Sequence, residues 1–176
     1  MKKTVSLILS LTLISGICAA VLAYVNAVTK DAIAEIRDRK TVKSAKAVMP
    51  SEAVEVESAQ FADGETYYIG KNTEGKVVGY ALTGTDSGGY GGEIVLMVGL
   101  RSDKKTIVCY QTLAASETPG LGMKLNTPEF AGQFAGKSAS ALRVKKDGGE
   151  IDAITAATIT SRAVCRAIEK AARKLN

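Results

Sequence analysis

Positions 4–29 carry no charged side chain, and Leu, Ile, Val and Ala dominate the run. A helix of about 20 apolar residues crosses the hydrocarbon core of a bilayer, so the run is long enough to span one. A cleaved signal peptide also has a basic start, here Lys2-Lys3, but its apolar region is shorter, about 7–15 residues. Length therefore predicts an uncleaved transmembrane anchor over residues 1–28. Beyond it Ala32, Ile33, Ile36, Val42, Ala45 and Val48 are compatible with a continuing helix that ends near Pro50. Residues 29–50 read as a juxtamembrane connector. Residues 51–176 are left for one domain, long enough to bury a core without disulfides.

The formal net charge of +5 is not spread evenly. Residues 1–50 hold eight Lys or Arg against three Asp or Glu, and the remaining fifteen basic and fifteen acidic residues balance in 51–176. The excess sits beside the membrane segment, which points to anionic lipid headgroups as a partner and not to nucleic acid. A literal positive-inside count, with Lys2 and Lys3 before the span and Lys30, Arg37, Arg39, Lys40, Lys43 and Lys46 after it, keeps the domain in the cytoplasm. Long domains, however, translocate largely regardless of such charge. Histidine is absent, which removes the usual general base and the usual transition-metal ligand. Cys18, Cys109 and Cys165 form no Cys-x-x-Cys pair, so no metal centre is expected, and their spacing leaves a Cys109–Cys165 disulfide open. A chain so equipped would depend on a cofactor that carries its own reactivity.

Short strands are predicted at 54–56, 67–69 and 77–82, and the long apolar run 93–100 pairs with 106–110 across a Ser102-Asp103-Lys104 turn. Such runs imply a sheet buried by helices on at least one face. Thr127 and Pro128 predict a short helix through Phe134 with Thr127 as N-cap, and 142–145 reads as a last strand. Val164, Ile168, Ala171 and Leu175 fall on one face of a final helix. The fold class expected is α+β: an N-terminal transmembrane helix followed by a twisted, mainly antiparallel sheet packed with helices.

Just before that final helix stand Thr155, Thr158, Thr160 and Ser161. Thr158, Thr160 or Ser161 can supply an N-cap oxygen. The first amides of a helix lack intrahelical partners, and an anion beside them gains roughly 0.3–1 kcal/mol. The junction thus suits either a cap or a phosphate. Gly88-Gly89-Tyr90-Gly91-Gly92 allows a tight turn or close approach of backbone to a flat ligand. In Glu117-Thr118-Pro119-Gly120-Leu121-Gly122, Pro followed by Gly sets a turn that needs φ > 0 at Gly120.

The segment Asp152-Ala153-Ile154-Thr155-Ala156-Ala157-Thr158-Ile159-Thr160-Ser161 resembles the attachment motif of the FMN-binding domain family, Asp-x-x-Ser/Thr-Gly-Ala-Thr-x-Ser/Thr-Ser/Thr. There the Thr after Ala is esterified to the FMN phosphate. The resemblance implies covalent FMN on Thr158, next to Ala157, with the hydroxyls of Thr155 and Thr160 near the phosphate. Ala156 stands where the family usually has Gly, so a loop that needs φ > 0 there would be strained.

With the two glycine-rich motifs in the same order, nearly the whole chain is similar to the G-subunit family of Rnf-type electron-transport complexes, homologous to the C subunits of sodium-translocating NADH:quinone oxidoreductases. By family position Glu117, Thr118 and Leu121 would line the ring or phosphate, with Gly120 shaping their turn. Ala115 replaces a His common in the family, and no role of that His transfers. The resemblance implies an electron-transfer subunit that is not catalytic alone. Its partners would be other subunits of a membrane redox complex, membrane lipid and a flavin transferase that uses FAD and Mg²⁺. The setting implied is single-pass in the cytoplasmic or cell inner membrane, with the flavin domain on the extracytoplasmic (periplasmic) side. Three other readings are a C subunit of a sodium-translocating NADH:quinone oxidoreductase, an FMN domain of another membrane reductase and a non-redox, pilin-like structural protein. The last would need no hydroxyl cluster at Thr158.

Overall fold

The computed structural model describes residues 2–175, without the side chains of residues 2, 6 and 31–39. Helix α1 runs from Lys2 to Val48, stopping where Pro50 disfavours helical backbone in the residue before it. Its stretch Lys3–Lys30 is long and apolar enough to cross a membrane. Leu7, Ile14, Leu22 and Val28 lie exposed along it, as lipid-facing side chains do. Of the apolar connector residues read as compatible with a continuing helix, Ala32, Ile33 and Ile36 lie outside the described side chains. Two compact units divide the chain, Met1–Lys40 and Thr41–Asn176, so the last turns of α1 are part of the folded domain.

That domain is built on a five-stranded antiparallel meander in the order β1-β2-β3-β4-β5: Glu55–Gln60, Thr66–Lys71, Val77–Gly89, Gly92–Arg101 and Ile107–Ala115. Tight turns make the meander possible. Asn72 closes the β2–β3 turn by accepting from the amides of Glu74 and Lys76, and Asp103 accepts from Lys105 and Thr106 in the β4–β5 turn. The strands exceed the lengths expected from sequence because polar residues such as Thr83, Thr85 and Asp86 stay in the β3–β4 ladder.

Strand β4 is apolar from Ile94 to Leu100 because both of its faces are covered there. Ile94, Leu96, Val98 and Leu100 join Val164, Ala167, Ile168 and Ala171 of α3 (Thr158–Lys174) in the main core. On the opposite face Met97, Ala81 and Tyr68 pack with Ala45 and Val48 from the end of α1 and with Met49 just beyond it. Full burial of an Ile or Leu side chain contributes about 1.5–3 kcal/mol, so the α3 stripe at 164, 168 and 171 fixes that helix to the sheet. Cys165 belongs to the α3 core and Cys109 packs against the α1 core. Both are free thiols, and burial pushes Cys165 up to about 12.

Thr127 does precede a short helix, α2 (Pro128–Ala131), with Pro at its start, and a 3₁₀ turn extends it through Phe134. The strand expected over 142–145 does not form. Val144 makes only an isolated bridge to Ile151, and a 3₁₀ turn follows at Lys145–Asp147. The alternation of Leu142 and Val144 comes from a loop pinned to itself. The amide of Lys145 donates to Ile151, and that of Ile151 to Arg143, while the neighbouring edge of β5 is occupied by residues 136–138.

Candidate functional site at the start of helix α3

The three motifs singled out in the sequence meet around one carboxylate. Glu117 is buried. Its Oε1 accepts from the Gly91 amide at 3.2 Å and its Oε2 from the Thr160 hydroxyl at 2.8 Å. One side chain thereby ties the β3–β4 turn, the segment after β5 and the first turn of α3. Glycine is required at the contacts. A Cβ on Gly122 would come within 2.4 Å of Glu117 Oε2, and one on Gly91 within 1.9 Å of the Ser116 carbonyl oxygen.

Above this hub lies a cleft of about 480 Å³ lined by Tyr90, Glu117, Thr118, Leu121, Gly122 and residues 156–160, a size usual for small-molecule sites. Tyr90, Leu121 and Ile159 are exposed apolar side chains on its wall. The segment before Gly122 is shaped by the turn closed from the Leu121 amide to the Thr118 carbonyl, with Gly120 at φ 75 as expected. Gly120 itself shapes the wall and does not line the cleft.

Helix α3 begins at Thr158. Its N-cap is Ala157, with no side-chain cap, which corrects the expectation that Thr158, Thr160 or Ser161 provides one. The reason is that two of those hydroxyls are committed elsewhere. Thr160 is fully buried and donates to Glu117. Ser161 donates to the Ala157 carbonyl at 3.0 Å and accepts from the Ile154 amide at 2.9 Å, stapling the loop before the helix. Thr158 lines the cleft, and its hydroxyl has no partner among the described residues. An uncapped helix end therefore opens into the cleft beside the free hydroxyl of Thr158, with partial positive charge available to an anion. Thr155 is exposed and lies on the other side of its loop, in a groove with Lys124, Gln133 and Asp152. Of the residues assigned from sequence, Glu117, Thr118, Leu121, Ala157, Thr158 and Thr160 thus meet at the cleft, and Thr155 does not.

Ala156 adopts φ 61, in a turn closed from the Ala157 amide to the Ile154 carbonyl at 2.9 Å. The loop keeps the left-handed geometry, and Ala carries the strain. Ala156→Gly is expected to stabilise the protein by about 0.5–1 kcal/mol, because relief of roughly 1–2 kcal/mol of left-handed strain exceeds the added chain entropy. Denaturant midpoints of the two full-length proteins in detergent check this.

Four lining residues, Tyr90, Gly122, Ala156 and Ile159, were not among those assigned from sequence. Each stands in one of the three motifs read from the sequence, most conspicuously Tyr90, the one aromatic among four glycines. Its turn is also held from behind. Asp86 on β3 is buried and accepts from Arg166 Nη2 and Lys170 Nζ of α3, each at 2.7 Å, and from the Gly88 amide at 2.9 Å. Burial works to raise the Asp86 carboxyl, but the bonds from Arg166 and Lys170 outweigh it and hold it at about 2, below its ordinary 3.8. A lowered folded-state value gives stability that is present above the unfolded pKa and lost as pH falls through the folded one. Wild type should therefore lose about 2 kcal/mol between pH 5 and pH 2 through this group. The loss should be smaller by that amount in Asp86→Asn, as read from unfolding midpoints across the range.

The cleft, the uncapped helix end and the free hydroxyl have the size and chemistry to hold a phosphorylated planar cofactor. Residues 89–173 match the FMN-binding domain family, which gives the class. Over 97% of its length the chain is 34% identical to the G subunit of the ion-translocating oxidoreductase complex of Methanosarcina acetivorans, 93% of which is covered. It is also 34% identical, over 93% of its length, to the G subunit of the Na(+)-translocating ferredoxin:NAD(+) oxidoreductase complex of Acetobacterium woodii, 87% of which is covered. The chain belongs to this family of G subunits. In fold it is similar to the crystal structure of Shewanella oneidensis NqrC, with a TM-score of 0.54 and 23% identity over 67% of this chain and 64% of that one. Family membership favours the electron-transfer reading over the pilin-like one, and the chain is a membrane electron-transfer subunit with an FMN-binding domain.

Proposed function

We propose that this protein carries FMN as a phosphoester on Thr158 and passes electrons between neighbouring subunits of an Rnf-type ion-translocating ferredoxin:NAD oxidoreductase complex. The observation that carries the reading is the partition of the hydroxyls within the 152–161 motif: Thr160 and Ser161 are engaged within the fold, Thr155 lies outside the cleft, and Thr158 stands free at its wall. Bound FMN supplies the redox chemistry. The chain supplies the rest. The first amides of α3 stabilise the phosphate charge, and Tyr90, Leu121 and Ile159 give apolar surface to a flat ring. Glu117 holds the three walls together. Attachment through phosphate leaves the ring free to carry electrons while preventing loss of the cofactor.

Nothing at the cleft activates a threonine, since both Glu117 oxygens are occupied and the chain has no histidine. A separate flavin transferase using FAD and Mg²⁺ accounts for attachment. The helix Lys3–Lys30 anchors the protein, Lys43 and Lys46 suit anionic headgroups, and the domain lies on the extracytoplasmic side. The test is full-length protein made with and without the transferase, denatured and run on a gel. Yellow-green fluorescence is expected to stay with the chain only when the transferase is present, and flavin lost on denaturation in both samples would contradict the reading.

A further inference from the structure

The loop that presents Thr158 is held from two sides. Ser161 staples it from within, as described above. From without, Gln133 binds both backbone groups of one residue: its Oε1 accepts from the Asp152 amide at 2.7 Å and its Nε2 donates to the Asp152 carbonyl at 3.3 Å. Such pairing imitates a neighbouring strand, in a stretch where the backbone has none. The platform beneath Gln133 is packed into the core. It sits in the 3₁₀ turn Gly132–Phe134, whose Phe134 is fully buried and meets Tyr110 and Phe130 edge-on, each at 5.4 Å. The loop needs such restraint because Ala156 is held left-handed, a conformation that persists only where the surroundings impose it.

Resting on the attachment reading above, we propose that Gln133 is a positioning residue for flavin attachment, holding the acceptor loop in the conformation the transferase engages. In that reaction a bond forms from Thr158 Oγ to the FMN phosphorus of FAD and the pyrophosphate bond breaks. AMP and the threonine proton leave. Gln133 touches none of these atoms. It sets the fraction of protein whose loop is competent, and a smaller fraction raises the apparent binding constant in proportion while leaving the saturated rate intact.

The experiment uses flavin-free full-length protein in detergent, purified transferase, FAD and Mg²⁺, with covalent flavin read by in-gel fluorescence. For Gln133→Ala the KM for the acceptor protein is expected to rise about tenfold with kcat within about twofold, the effect of losing a paired hydrogen bond on a surface loop. Gln133→Glu keeps the shorter bond from the Asp152 amide and should fall between. Hydrogen exchange over residues 152–157 of the flavin-free protein should quicken in Gln133→Ala, with the sheet unchanged. Equal KM in wild type and Gln133→Ala overturns the inference while leaving attachment standing. A loss in Gln133→Glu as large as in Gln133→Ala, or faster exchange throughout the domain, also overturns it by making the residue merely structural. Wild type that takes up no covalent flavin overturns the attachment reading and this inference with it.

Discussion

Thr158→Ala abolishes covalent flavin, while Thr158→Ser retains it, in cells that also make the flavin transferase. The expectation follows from where each hydroxyl is committed. Thr158 is the first residue of α3 and faces the cleft with a free hydroxyl, so a phosphoester there places its phosphate beside the uncapped amides of the same helix turn. Ser keeps the nucleophilic oxygen at the same position. Thr155→Ala should leave attachment intact, since Thr155 opens into the separate groove with Lys124 and Gln133. Thr160→Ala removes the donor to Glu117 Oε2 and should cost about 1–3 kcal/mol of stability with the flavin still attached. In-gel fluorescence of the four denatured variants is the readout. Flavin surviving in Thr158→Ala and vanishing in Thr155→Ala or Thr160→Ala would move the acceptor to that residue.

Gly91→Ala is expected to produce the largest change in the cleft that leaves the acceptor untouched. The added Cβ would lie 1.9 Å from the Ser116 carbonyl oxygen and 2.6 Å from its carbon, a backbone that cannot yield as a flexible side chain would. The β3–β4 turn must lift away from the segment after β5. That separation breaks the bond from the Gly91 amide to Glu117 and leaves a buried carboxylate oxygen without its donor. Overpacking and the lost charged hydrogen bond together should cost about 3 kcal/mol or more. Tyr90 moves with the turn, so the native fluorescence and midpoint potential of the attached flavin should shift. Attachment itself should persist, because the loop at 152–157 is held by Gln133 and Ser161, not by the β3–β4 turn. A variant with wild-type melting temperature and unchanged flavin properties would mean that the turn does not pack on Glu117.

Local pattern carried much of this into the sequence. The uncharged run, the β4 and β5 hairpin, the stripe at Val164, Ile168 and Ala171, and the left-handed Gly120 each depend on spacing or on one residue's backbone freedom, and each is seen in the structure. What was not legible depends on which groups the fold brings together. Thr160 reads as a cap until Glu117, 43 positions away, is seen to take its hydroxyl. Ser161 reads as a cap until it is seen holding Ile154. The apparent strand at 142–145 required knowledge that the β5 edge was already taken, and the groove behind Thr155 required Gln133 to be brought beside Asp152. The resemblance to the FMN-binding domain family ordered the three motifs. The structure then supplied Glu117 as the reason they stand together.

The most direct test of covalent attachment is mass spectrometry of the tryptic peptide 147–162, cut after Lys146 and Arg162, from full-length protein made with the transferase. That peptide contains Thr155, Thr158, Thr160 and Ser161 together, so fragmentation distinguishes every candidate acceptor. The expected result is a gain equal to FMN less one water, located on Thr158. An unmodified peptide from protein that has been exposed to active transferase, or the same gain on another hydroxyl, would contradict it.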